Sequence, residues 1–480
     1  MQKIQNFING KLVAPVSGSY IDNYNPAEGK VYSLIPDSDE QDVKNAVDAA
    51  KSAFPIWSKM PVDERSKILQ KIADLIDENL DRLAMAESVD NGKPVALAKA
   101  VDIPRSSSNM RFFATAILHF SSEAHKMDNV AINYTNREPI GVAGCISPWN
   151  LPLYLFTWKI APALAAGNCV VAKPSEITPM TAYLFSELCI NAGLPKGVLN
   201  IIHGLGAKAG QAIIEHQDIP LISFTGGTAT GKHIAATAAP MFKKLSLELG
   251  GKNPNIIFAD CDFDQALKTS VLSSFSNQGQ ICLCGSRILV ERSIYTKFVD
   301  AFVAKVKALK IGDPLDGLTK IGAIVSEDHM KKILSYIELA KKEGGQIITG
   351  GKQVQMEERC TNGYFIEPTV ITGLGHDCRI NQEEIFGPVV TIMPFDKQEE
   401  AIEYANGTAY GLSTTVWTEN LKRAHNIANE LKSGIVWINC WMVRDLRTPF
   451  GGMKQSGVGR EGGNEALRFF TETKNVCIKL

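Results

Sequence analysis

The sequence carries no excess charge of either sign. Its 50 lysines and arginines balance 51 aspartates and glutamates, which leaves a formal net charge of −1 over 480 residues. A strongly basic chain would indicate a nucleic acid or an anionic membrane as a partner. The charge balance supports neither partner, and we expect neither.

The cysteine pattern lacks both a metal-binding cluster and a disulfide framework. The 10 cysteines contain no C-x-x-C pair and have no clustered histidines beside them. Structural zinc needs four ligands at close spacings, and secreted disulfide scaffolds are shorter and denser in cysteine. Cys282 and Cys284 lie close together, but no second pair is near them. We therefore predict no metal site and expect most thiols to be buried as small hydrophobic side chains.

A long uncharged stretch, residues 139–158, is interrupted too often to form a membrane span. Pro139, Gly141, Pro148 and Pro152 would break a spanning helix repeatedly. The initial residues MQKIQNFINGKLV show neither the apolar core nor the cleavage site of a signal peptide. We expect a cytoplasmic protein without a membrane partner.

The apolar pattern predicts an α/β fold. At 480 residues the chain exceeds what one hydrophobic core usually organises, so two or three sub-domains are expected. From residue 140, apolar runs such as NCVVAK and VLNIIH alternate with helical patterns, and a second alternation begins after Gly250-Gly251. Continuous apolar strands between helices favour parallel sheets covered on both faces, which is an architecture typical of nucleotide-binding proteins.

Two long helices are predicted before residue 100. Ser38-Asp39-Glu40-Gln41 has the composition of a capping box and precedes apolar residues at helical spacing. A second amphipathic helix is predicted from about Val62 to Asn91-Gly92, where glycine ends it.

Two glycine-rich turns, HGLGAKAG and FTGGTATG, join predicted strands to predicted helices. Backbone N–H groups at the start of a helix can hold a pyrophosphate. Neither turn matches G-x-G-x-x-G, so each fits a phosphate-binding turn and a purely structural turn about equally well. Their glycines are Gly204, Gly206 and Gly210 in the first turn and Gly226, Gly227 and Gly231 in the second.

The segment AKPSE follows a predicted strand directly. In a parallel sheet, ligands bind at the carboxyl ends of the strands. Glu176 at that point would accept hydrogen bonds from ribose hydroxyls and repel a 2′-phosphate, which favours NAD over NADP. By spacing alone, Lys173 and Glu176 fit a surface ion pair better.

Four short motifs together carry the strongest functional signal. SPWN contains Asn150, LELGGK contains Glu248, NQGQICLCGSR contains Cys282, and EEIFGP contains Glu384. This set, in this order, resembles the aldehyde dehydrogenase superfamily, and the resemblance covers essentially the whole chain. It implies an NAD-dependent oxidoreductase that acts on a small-molecule aldehyde.

The resemblance also implies the catalytic residues. In that family the nucleophile is the cysteine two positions after a Gly-Gln pair, which is Cys282, whereas Cys284 lies where the family requires nothing. A thiolate attacks the aldehyde carbon, and the oxyanion that forms needs hydrogen-bond donors. These are implied to be the Asn150 side-chain amide and the Cys282 backbone N–H. Glu248 is implied to activate the water that hydrolyses the thioester, and an ion pair with Lys252 is its structural alternative.

The same resemblance implies residues that bind NAD. Lys173 and Glu176 would contact the adenosine ribose, the Gly226-Gly227 pair would open the helix on the pyrophosphate side, and Glu384 and Phe386 would hold the nicotinamide ribose and ring. Family members more often carry serine in place of Gly227, which leaves the cofactor position near this turn open. The whole predicted set is Ile146, Trp149, Lys173, Ser175, Glu176, Gly206, Gly210, Gly226, Gly227, Gly231, Leu249, Glu384 and Phe386.

Two further stretches, NCWMVRDLRTPFGG and VDIPRSSSNMRFFA, resemble the branch of the family that acts on 2-aminomuconic and 2-hydroxymuconic semialdehydes. Such substrates carry a carboxylate opposite the aldehyde, and a guanidinium binds a carboxylate through two parallel hydrogen bonds. Arg105 and Arg444 are the predicted substrate ligands. Arg111 is the rival of Arg105 on the same predicted helix, and Arg447 is expected to brace the loop through Asp445.

The resemblance implies two Rossmann-like parallel α/β domains and a small β oligomerisation element. We expect an NAD-binding domain from residues 1–125 and 143–250 and a catalytic domain from residues 251–450. The oligomerisation element would combine residues 126–142 with residues 460–480 and cross to another subunit. A homodimer or a homotetramer is expected.

Three other functions fit parts of the pattern. A betaine-aldehyde or general aliphatic aldehyde dehydrogenase would share the chemistry of Cys282, although Arg444 in the tunnel would disfavour a cationic aldehyde. A cysteine hydrolase would use Cys282 without a cofactor, and a structural protein would keep the fold without catalysis. The complete set of Asn150, Glu248, Cys282 and Glu384 favours an active dehydrogenase. The sequence does not separate an amino from a hydroxyl group at the substrate's 2-position.

Overall fold

Two large, mainly parallel sheets dominate the computed structural model, which describes residues 1–480. The first sheet has eight strands, and its five central strands run parallel while its outer strands pair antiparallel. In spatial order the strands are Gly457–Val458, Lys244–Glu248, Leu221–Thr225, Val142–Ile146, Cys169–Lys173, Leu199–Ile201, Asn6–Ile8 and Lys11–Val13.

The second sheet has seven strands, and only its first pair is antiparallel. In spatial order the strands are Gln346–Thr349, Thr369–Thr372, Val389–Phe395, Arg287–Glu291, Pro254–Ile257, Ser413–Trp417 and Ile435–Ile438. The predicted class, two Rossmann-like parallel α/β units, is confirmed. The exact limits of the domains, at residues 125, 143, 250 and 450, stay predictions.

Helices connect the parallel strands, and none of them is long and apolar enough to cross a membrane. The longer helices are Glu40–Trp57, Val62–Glu78, Leu80–Asn91, Ile103–Ala116, Pro152–Ala165, Met180–Ala192, Thr228–Ala238, Phe263–Phe275, Tyr295–Lys307, Glu327–Lys342, Gln398–Asn406 and Leu421–Glu430. Shorter ones are Val95–Leu97, Gln211–Glu215, Arg379–Gln382 and Gly463–Phe469, and π-helical turns cover Ala98–Asp102 and Gly206–Gly210.

Four small sheets complete the fold. Their strands are Gln2–Lys3 with Lys30–Pro36 and Tyr20–Asn25, Gln353–Val354 with Phe365–Ile366, Tyr410–Gly411 with Met453–Lys454, and Thr471–Lys479 with Ala131–Pro139 and Ala124–Met127. The last of these sheets joins the end of the chain to the segment predicted to accompany it. Thr471–Lys479 pairs with Ala131–Pro139 without a register shift. The predicted crossing of this element to another subunit stays a prediction.

The first helix is capped one residue later than predicted. Asp39, not Ser38, is the cap: its carboxylate accepts a hydrogen bond from the Gln41 N–H at 2.9 Å, and its own N–H donates to Asp42 at 3.2 Å. Ser38 is buried instead and accepts a hydrogen bond from the Asn6 amide at 2.8 Å. Asp39 rather than Ser38 caps the helix because the Ser38 hydroxyl is already hydrogen-bonded to Asn6 in the core.

The single helix predicted from Val62 to Asn91 is in fact two helices that meet at Asn79. The Asn79 side-chain amide donates to the Leu75 carbonyl at 2.8 Å, which competes with the helical hydrogen-bond pattern. The second helix ends at Gly92, whose φ of +83° places it in the left-handed region.

The largest apolar core fills the space between the eight-stranded sheet and its helices. It also includes Ile281 and Cys284, which lie between two strands of the seven-stranded sheet, Trp437, which lies on one of its strands, and Phe450. The loop that carries Cys282 is therefore packed where the two large sheets approach each other.

Replacing Asp39 with alanine removes the cap of helix Glu40–Trp57 and is expected to destabilise its first turn by about 1 kcal/mol. Amide hydrogen exchange followed by mass spectrometry should show about fivefold faster exchange in that turn. Gln41→Ala is the matched control, since this exposed side chain makes no capping bond. Equal effects of the two substitutions would contradict the assignment of Asp39 as the cap.

Candidate active site

The order of the strands places a crevice at one edge of the eight-stranded sheet. Strands Val142–Ile146 and Leu221–Thr225 are neighbours, and the chain winds away from this pair in opposite directions. In open α/β sheets, ligands bind outside the carboxyl ends of the strands at this reversal. A cavity of about 240 Å³ opens there, here called the main cavity. Its walls include Trp149, Asn150, Thr225, Gly226, Gly227, Leu249, Cys282, His329, Lys332, Glu384 and Phe386.

The loop before Cys282 has an unusual backbone. Asn277, Gln278 and Gly279 have φ values of 51°, 56° and 69°, so three successive residues lie in the left-handed region. A Cβ on Gly279 would lie 2.2 Å from the Gly387 carbonyl oxygen, so only glycine fits. The Gln280 side-chain oxygen accepts a hydrogen bond from the Val325 N–H at 3.1 Å. These constraints fix the position of Cys282 at the wall of the cavity.

Two hydrogen-bond donors lie beside the thiol. The Asn150 amide uses one N–H to reach the Gln280 carbonyl at 3.1 Å, which leaves its second N–H free. The Cys282 N–H donates to no backbone carbonyl. Asn277 holds this arrangement because its amide donates to the Asn150 carbonyl at 3.0 Å and to the Gln280 carbonyl at 3.2 Å. Such a pair of donors suits an oxyanion that forms next to the sulfur.

Glu248 is buried, and neither of its carboxylate oxygens has a hydrogen-bond partner. The alternative ion pair with Lys252 is therefore not formed. Burial, and after it the nearby Glu461 carboxylate, raise the pKa of Glu248 well above its usual value, and the Lys159 ammonium opposes this shift. A carboxyl group with a raised pKa is suited to proton transfer near neutral pH.

Sequence reasoning missed a buried ion pair next to Glu248. Lys159 Nζ lies 2.9 Å from Glu461 Oε1 and 3.3 Å from the Ser223 hydroxyl, and both charged side chains are almost fully buried. The one available signal was a lysine inside the otherwise apolar helix Pro152–Ala165. Its partner lies 302 residues away, which no local pattern reveals.

The predicted adenosine-side residues lie together at the same sheet edge, beyond the main cavity. The Lys173 ammonium is 2.9 Å from Glu176, whose other oxygen accepts a hydrogen bond from the Gly206 N–H at 3.3 Å. Burial acts to raise the pKa of Glu176, but the Lys173 charge and the hydrogen bonds from Lys173 and from backbone N–H groups together lower it. Ser175, Gly210, Gly231 and Ile146 also lie outside the cavity walls, although Ile146 pairs with Lys173 across the sheet.

Glu384 and Phe386 form the opposite wall of the main cavity. Glu384 accepts a hydrogen bond from the Gly251 N–H at 2.9 Å, and burial raises its pKa. The carbonyl of Phe386 accepts a hydrogen bond from the His329 ring at 2.7 Å, and the Trp149 ring lies 5.2 Å from that of Phe386. His329 and Lys332 project from helix Glu327–Lys342, and no sequence signal pointed to them.

The two predicted substrate arginines converge on Tyr154. Arg444 donates to the Tyr154 hydroxyl at 2.7 Å, and Arg105 lies over the Tyr154 ring with its Cζ 5.5 Å from the ring centre. Arg444 lines a second cavity together with Glu248, Cys282 and Tyr154. Neither arginine forms an ion pair, and Nη2 of Arg105 is buried without a hydrogen-bond partner.

The other two arginines of these stretches face elsewhere. Arg111, the rival of Arg105, pairs with Asp74 and Asp77 at the surface. Arg447 is exposed and pairs with Asp445 at 2.6 Å. The geometry thus separates two unpaired arginines beside the site from two that already have carboxylate partners.

Comparison with known proteins decides the family. The model of the family described as "Aldehyde dehydrogenase family" matches residues 13–476. The chain belongs to the aldehyde dehydrogenase family. It is an NAD(P)-dependent oxidoreductase that acts on aldehydes. Family membership favours this activity over the cofactor-free cysteine hydrolase and over a structural protein.

Among aldehyde dehydrogenases, the chain is similar to enzymes of one branch. It is 52% identical to the 2-aminomuconic semialdehyde dehydrogenase of Danio rerio, with 99% of this chain and 98% of the relative covered. It is 47% identical to the 2-hydroxymuconic semialdehyde dehydrogenase of Pseudomonas sp. (strain CF600), with both chains covered completely. The resemblance predicted from the motifs is confirmed.

A solved structure gives the same result for the fold. The NAD⁺ complex of an aldehyde dehydrogenase from Bacillus cereus matches with a TM-score of 0.97 and 42% identity, covering 100% of this chain and 97% of that one. The roles of Cys282, Asn150, Glu248 and the predicted cofactor ligands stay predictions at this point.

The state of the Cys282 thiol follows from its surroundings. Burial, and after it the carboxylates of Glu384 and Glu248, raise the pKa of Cys282 to about 12, and Arg444 opposes this shift only in part. The thiol of the cofactor-free protein is therefore protonated at neutral pH. Protonation protects it from oxidation, and any thiol that acts as a nucleophile must lose its proton during the reaction.

Alkylation of Cys282 by iodoacetamide in the cofactor-free protein is expected to accelerate up to at least pH 10 without a plateau, because the thiolate is the reactive form. Peptide mapping by mass spectrometry measures the rate at this one cysteine. Glu384→Gln should shift the curve to lower pH by removing a nearby negative charge, whereas Cys284→Ser serves as the control for signal from the neighbouring thiol. A plateau near pH 8 would contradict the raised pKa.

Proposed function

We propose that this enzyme oxidises a muconic semialdehyde, carrying an amino or a hydroxyl group at the 2-position, to the dicarboxylic acid with NAD⁺ as the acceptor. The names of the similar enzymes support this substrate class. The observation that carries the proposal is the pair of unpaired guanidinium groups, Arg105 and Arg444, next to the Cys282 cavity.

A substrate with a remote carboxylate satisfies these two cations. Both guanidinium groups are partly buried and lack a carboxylate partner, so the binding of an anion gains an ion pair where the charges are already partly desolvated. A cationic betaine aldehyde would be repelled by Arg105 and Arg444, and a simple aliphatic aldehyde would leave them unpaired. The charge of the pocket therefore favours the muconic semialdehyde over both alternatives.

The reaction would begin at Cys282. Its thiol releases a proton to solvent as the sulfur attacks the aldehyde carbon, and the resulting oxyanion accepts hydrogen bonds from the Asn150 amide and the Cys282 N–H. A hydride leaves the same carbon, and the thiohemiacetal becomes a thioester. Glu248 then takes a proton from water, whose oxygen attacks the thioester carbon. The carbon–sulfur bond breaks, the carboxylic acid leaves, and the proton on Glu248 passes to the sulfur and restores the Cys282 thiol.

The main cavity fits a dinucleotide on its own chemistry. The buried Thr225 hydroxyl has no hydrogen-bond partner, and no atom lies within 4 Å of a Cβ placed on Gly227. Glu384 and the start of helix Thr228–Ala238 face the same space, and helix starts favour phosphate. NAD⁺, when bound, supplies the hydride acceptor. Trp149, Phe386 and His329 would hold the nicotinamide end, and Lys173, Glu176 and Gly206 the adenosine end.

We extend the proposal to assembly and location. Met127, Ile132 and Ile478 are exposed on the small sheet that contains strand Thr471–Lys479, and Val130 is exposed in the turn between its other two strands, which supports a homodimer or homotetramer formed through this element. All cysteines are free thiols, and a thiol nucleophile needs a reducing compartment, which supports the cytoplasm.

The substrate is tested by following NADH formation with 2-hydroxymuconic semialdehyde, betaine aldehyde and a simple aliphatic aldehyde. The semialdehyde is expected to give the highest kcat/KM. Arg444→Ala should lower that value about 10- to 10²-fold, because it removes a charge-assisted hydrogen bond to the substrate carboxylate. Arg111→Ala, at the surface, is the control and should change nothing. Equal or better turnover of the other aldehydes would discard the muconic assignment and leave the chemistry of Cys282 intact.

Cofactor choice depends on Glu176. We expect a higher kcat/KM with NAD⁺ than with NADP⁺, because this carboxylate repels a 2′-phosphate. Glu176→Gln should raise kcat/KM for NADP⁺ by about tenfold, the effect of removing one nearby charge repulsion in partly screened surroundings. Glu215→Gln, an exposed glutamate elsewhere on the domain, is the matched control. An unchanged cofactor ratio in Glu176→Gln would remove Glu176 from the cofactor site.

A further inference from the structure

A buried lysine lies directly behind the proposed oxyanion donor. The Lys93 ammonium has no solvent exposure and contacts three acceptors: Glu87 at 3.1 Å, Asp102 at 2.9 Å and the backbone carbonyl of Asn150 at 3.1 Å. An ammonium has three N–H donors, so each is used once. Asn150, whose side chain lines the main cavity, is thus held at its backbone carbonyl by the Lys93 ammonium.

The loop that carries Lys93 packs against the loop that carries Trp149 and Asn150. Asn91 donates from its side-chain amide to the Trp149 carbonyl at 2.9 Å. A Cβ on Gly92 would lie 2.7 Å from the Ala323 carbonyl oxygen, and its φ of +83° also requires glycine. The loop therefore has little freedom to move relative to Asn150.

The two carboxylates extend the support to both sides of Asn150. Glu87 accepts a second hydrogen bond from the Leu153 N–H at 3.2 Å, at the start of helix Pro152–Ala165. Asp102 lies at the end of the π-helical turn Ala98–Asp102, a geometry frequent at functional sites. A buried ionic cluster stabilises a fold less than apolar packing does. Its presence here therefore favours a role in fixing the position of the Asn150 backbone.

We propose that Lys93 is a positioning residue: it holds the backbone of Asn150 so that the side-chain amide faces the oxygen of the reacting aldehyde. The inference rests on the proposed role of Asn150 as an oxyanion donor. Lys93 itself does not line either cavity and touches no reacting atom. Lys93 would act indirectly: by fixing the backbone carbonyl of Asn150, it also fixes the position of the Asn150 side-chain amide.

Loss of the ammonium should lower kcat more than it changes KM. Lys93→Met keeps the length of the side chain and removes its three donors, so the Asn150 backbone keeps only its amide donors, chiefly Asn277. Misplacement of a catalytic group by about 1 Å costs up to about 10²-fold in rate, and loss of one oxyanion donor costs about 10²–10³-fold. We expect Lys93→Met to approach, and not exceed, the loss in Asn150→Ala.

A charge-balanced variant separates positioning from folding. Lys93→Met alone leaves two buried carboxylates without a counter-ion. A second variant, Glu87→Gln/Lys93→Met/Asp102→Asn, is therefore measured beside it, because it buries no net charge. Lys243→Met is the matched control, because the Lys243 ammonium is also buried and donates to backbone carbonyls, those of Ile214 and His216. Circular dichroism and melting temperature establish folding, and Lys243→Met should keep a wild-type kcat.

The decisive measurements are kcat, KM and Cys282 alkylation, with whichever of the three aldehydes the wild type oxidises fastest. Both Lys93 variants should lose kcat. The double variant Lys93→Met/Asn150→Ala should be no slower than Asn150→Ala, because the two residues act through one group. Alkylation by iodoacetamide forms no oxyanion and should stay within about twofold of wild type.

Three results would overturn the inference. They are a wild-type kcat in the folded charge-balanced variant, multiplying losses in the double variant, and a parallel loss of alkylation, which would show general disruption. A wild-type kcat in Asn150→Ala would instead remove the proposed oxyanion role and this inference with it. A slow Asn150→Ala beside a normal charge-balanced Lys93 variant would remove this inference alone.

Discussion

One side-chain amide joins the two halves of the active site. Asn277 donates to the carbonyls of Asn150 and Gln280, so it ties the loop after strand Val142–Ile146 to the loop that presents Cys282. Its left-handed backbone, continued through Gln278 and Gly279, is tolerated because the surrounding contacts leave no alternative. Neither large sheet carries both Asn150, the proposed oxyanion donor, and Cys282, the proposed nucleophile, so the candidate site exists only when the two units are packed together.

Charge is distributed unevenly around Cys282. Glu248 and Glu384 lie near the sulfur and raise its pKa, while Arg105 and Arg444 meet around Tyr154. The buried Lys159–Glu461 pair adds one charge of each sign behind Glu248. An aldehyde with a remote carboxylate matches this division, because its neutral reactive end and its anionic end find the surroundings that each prefers. The direction in which such a substrate enters is therefore set by electrostatics as well as by shape.

Local sequence patterns predicted the features of the fold that depend on neighbouring residues in the chain. Apolar runs predicted the central parallel strands of both large sheets but not the outer strands such as Asn6–Ile8 and Gln346–Thr349. The residues of the family motifs, Asn150, Cys282 and Glu384, lie at one cavity. The break at Asn79 depended on a side chain competing for its own helix, which propensity alone does not decide. The Lys159–Glu461 pair joins residues 302 positions apart, so only the folded chain brings them together. Likewise, no local sequence pattern around Lys93 predicts its hydrogen bond to the Asn150 carbonyl.

The carboxyl groups near Cys282 have a consequence for the end of the catalytic cycle. In the proposed reaction the acid forms at the carbon that the sulfur attacks, so its new negative charge would arise where burial, Glu384 and Glu248 already disfavour a thiolate. Surroundings that keep the resting thiol neutral also disfavour a newly ionised product. The enzyme would thus hold the substrate, whose reacting end is uncharged, more readily than the product with its second carboxylate, and electrostatic repulsion at that end would favour product release.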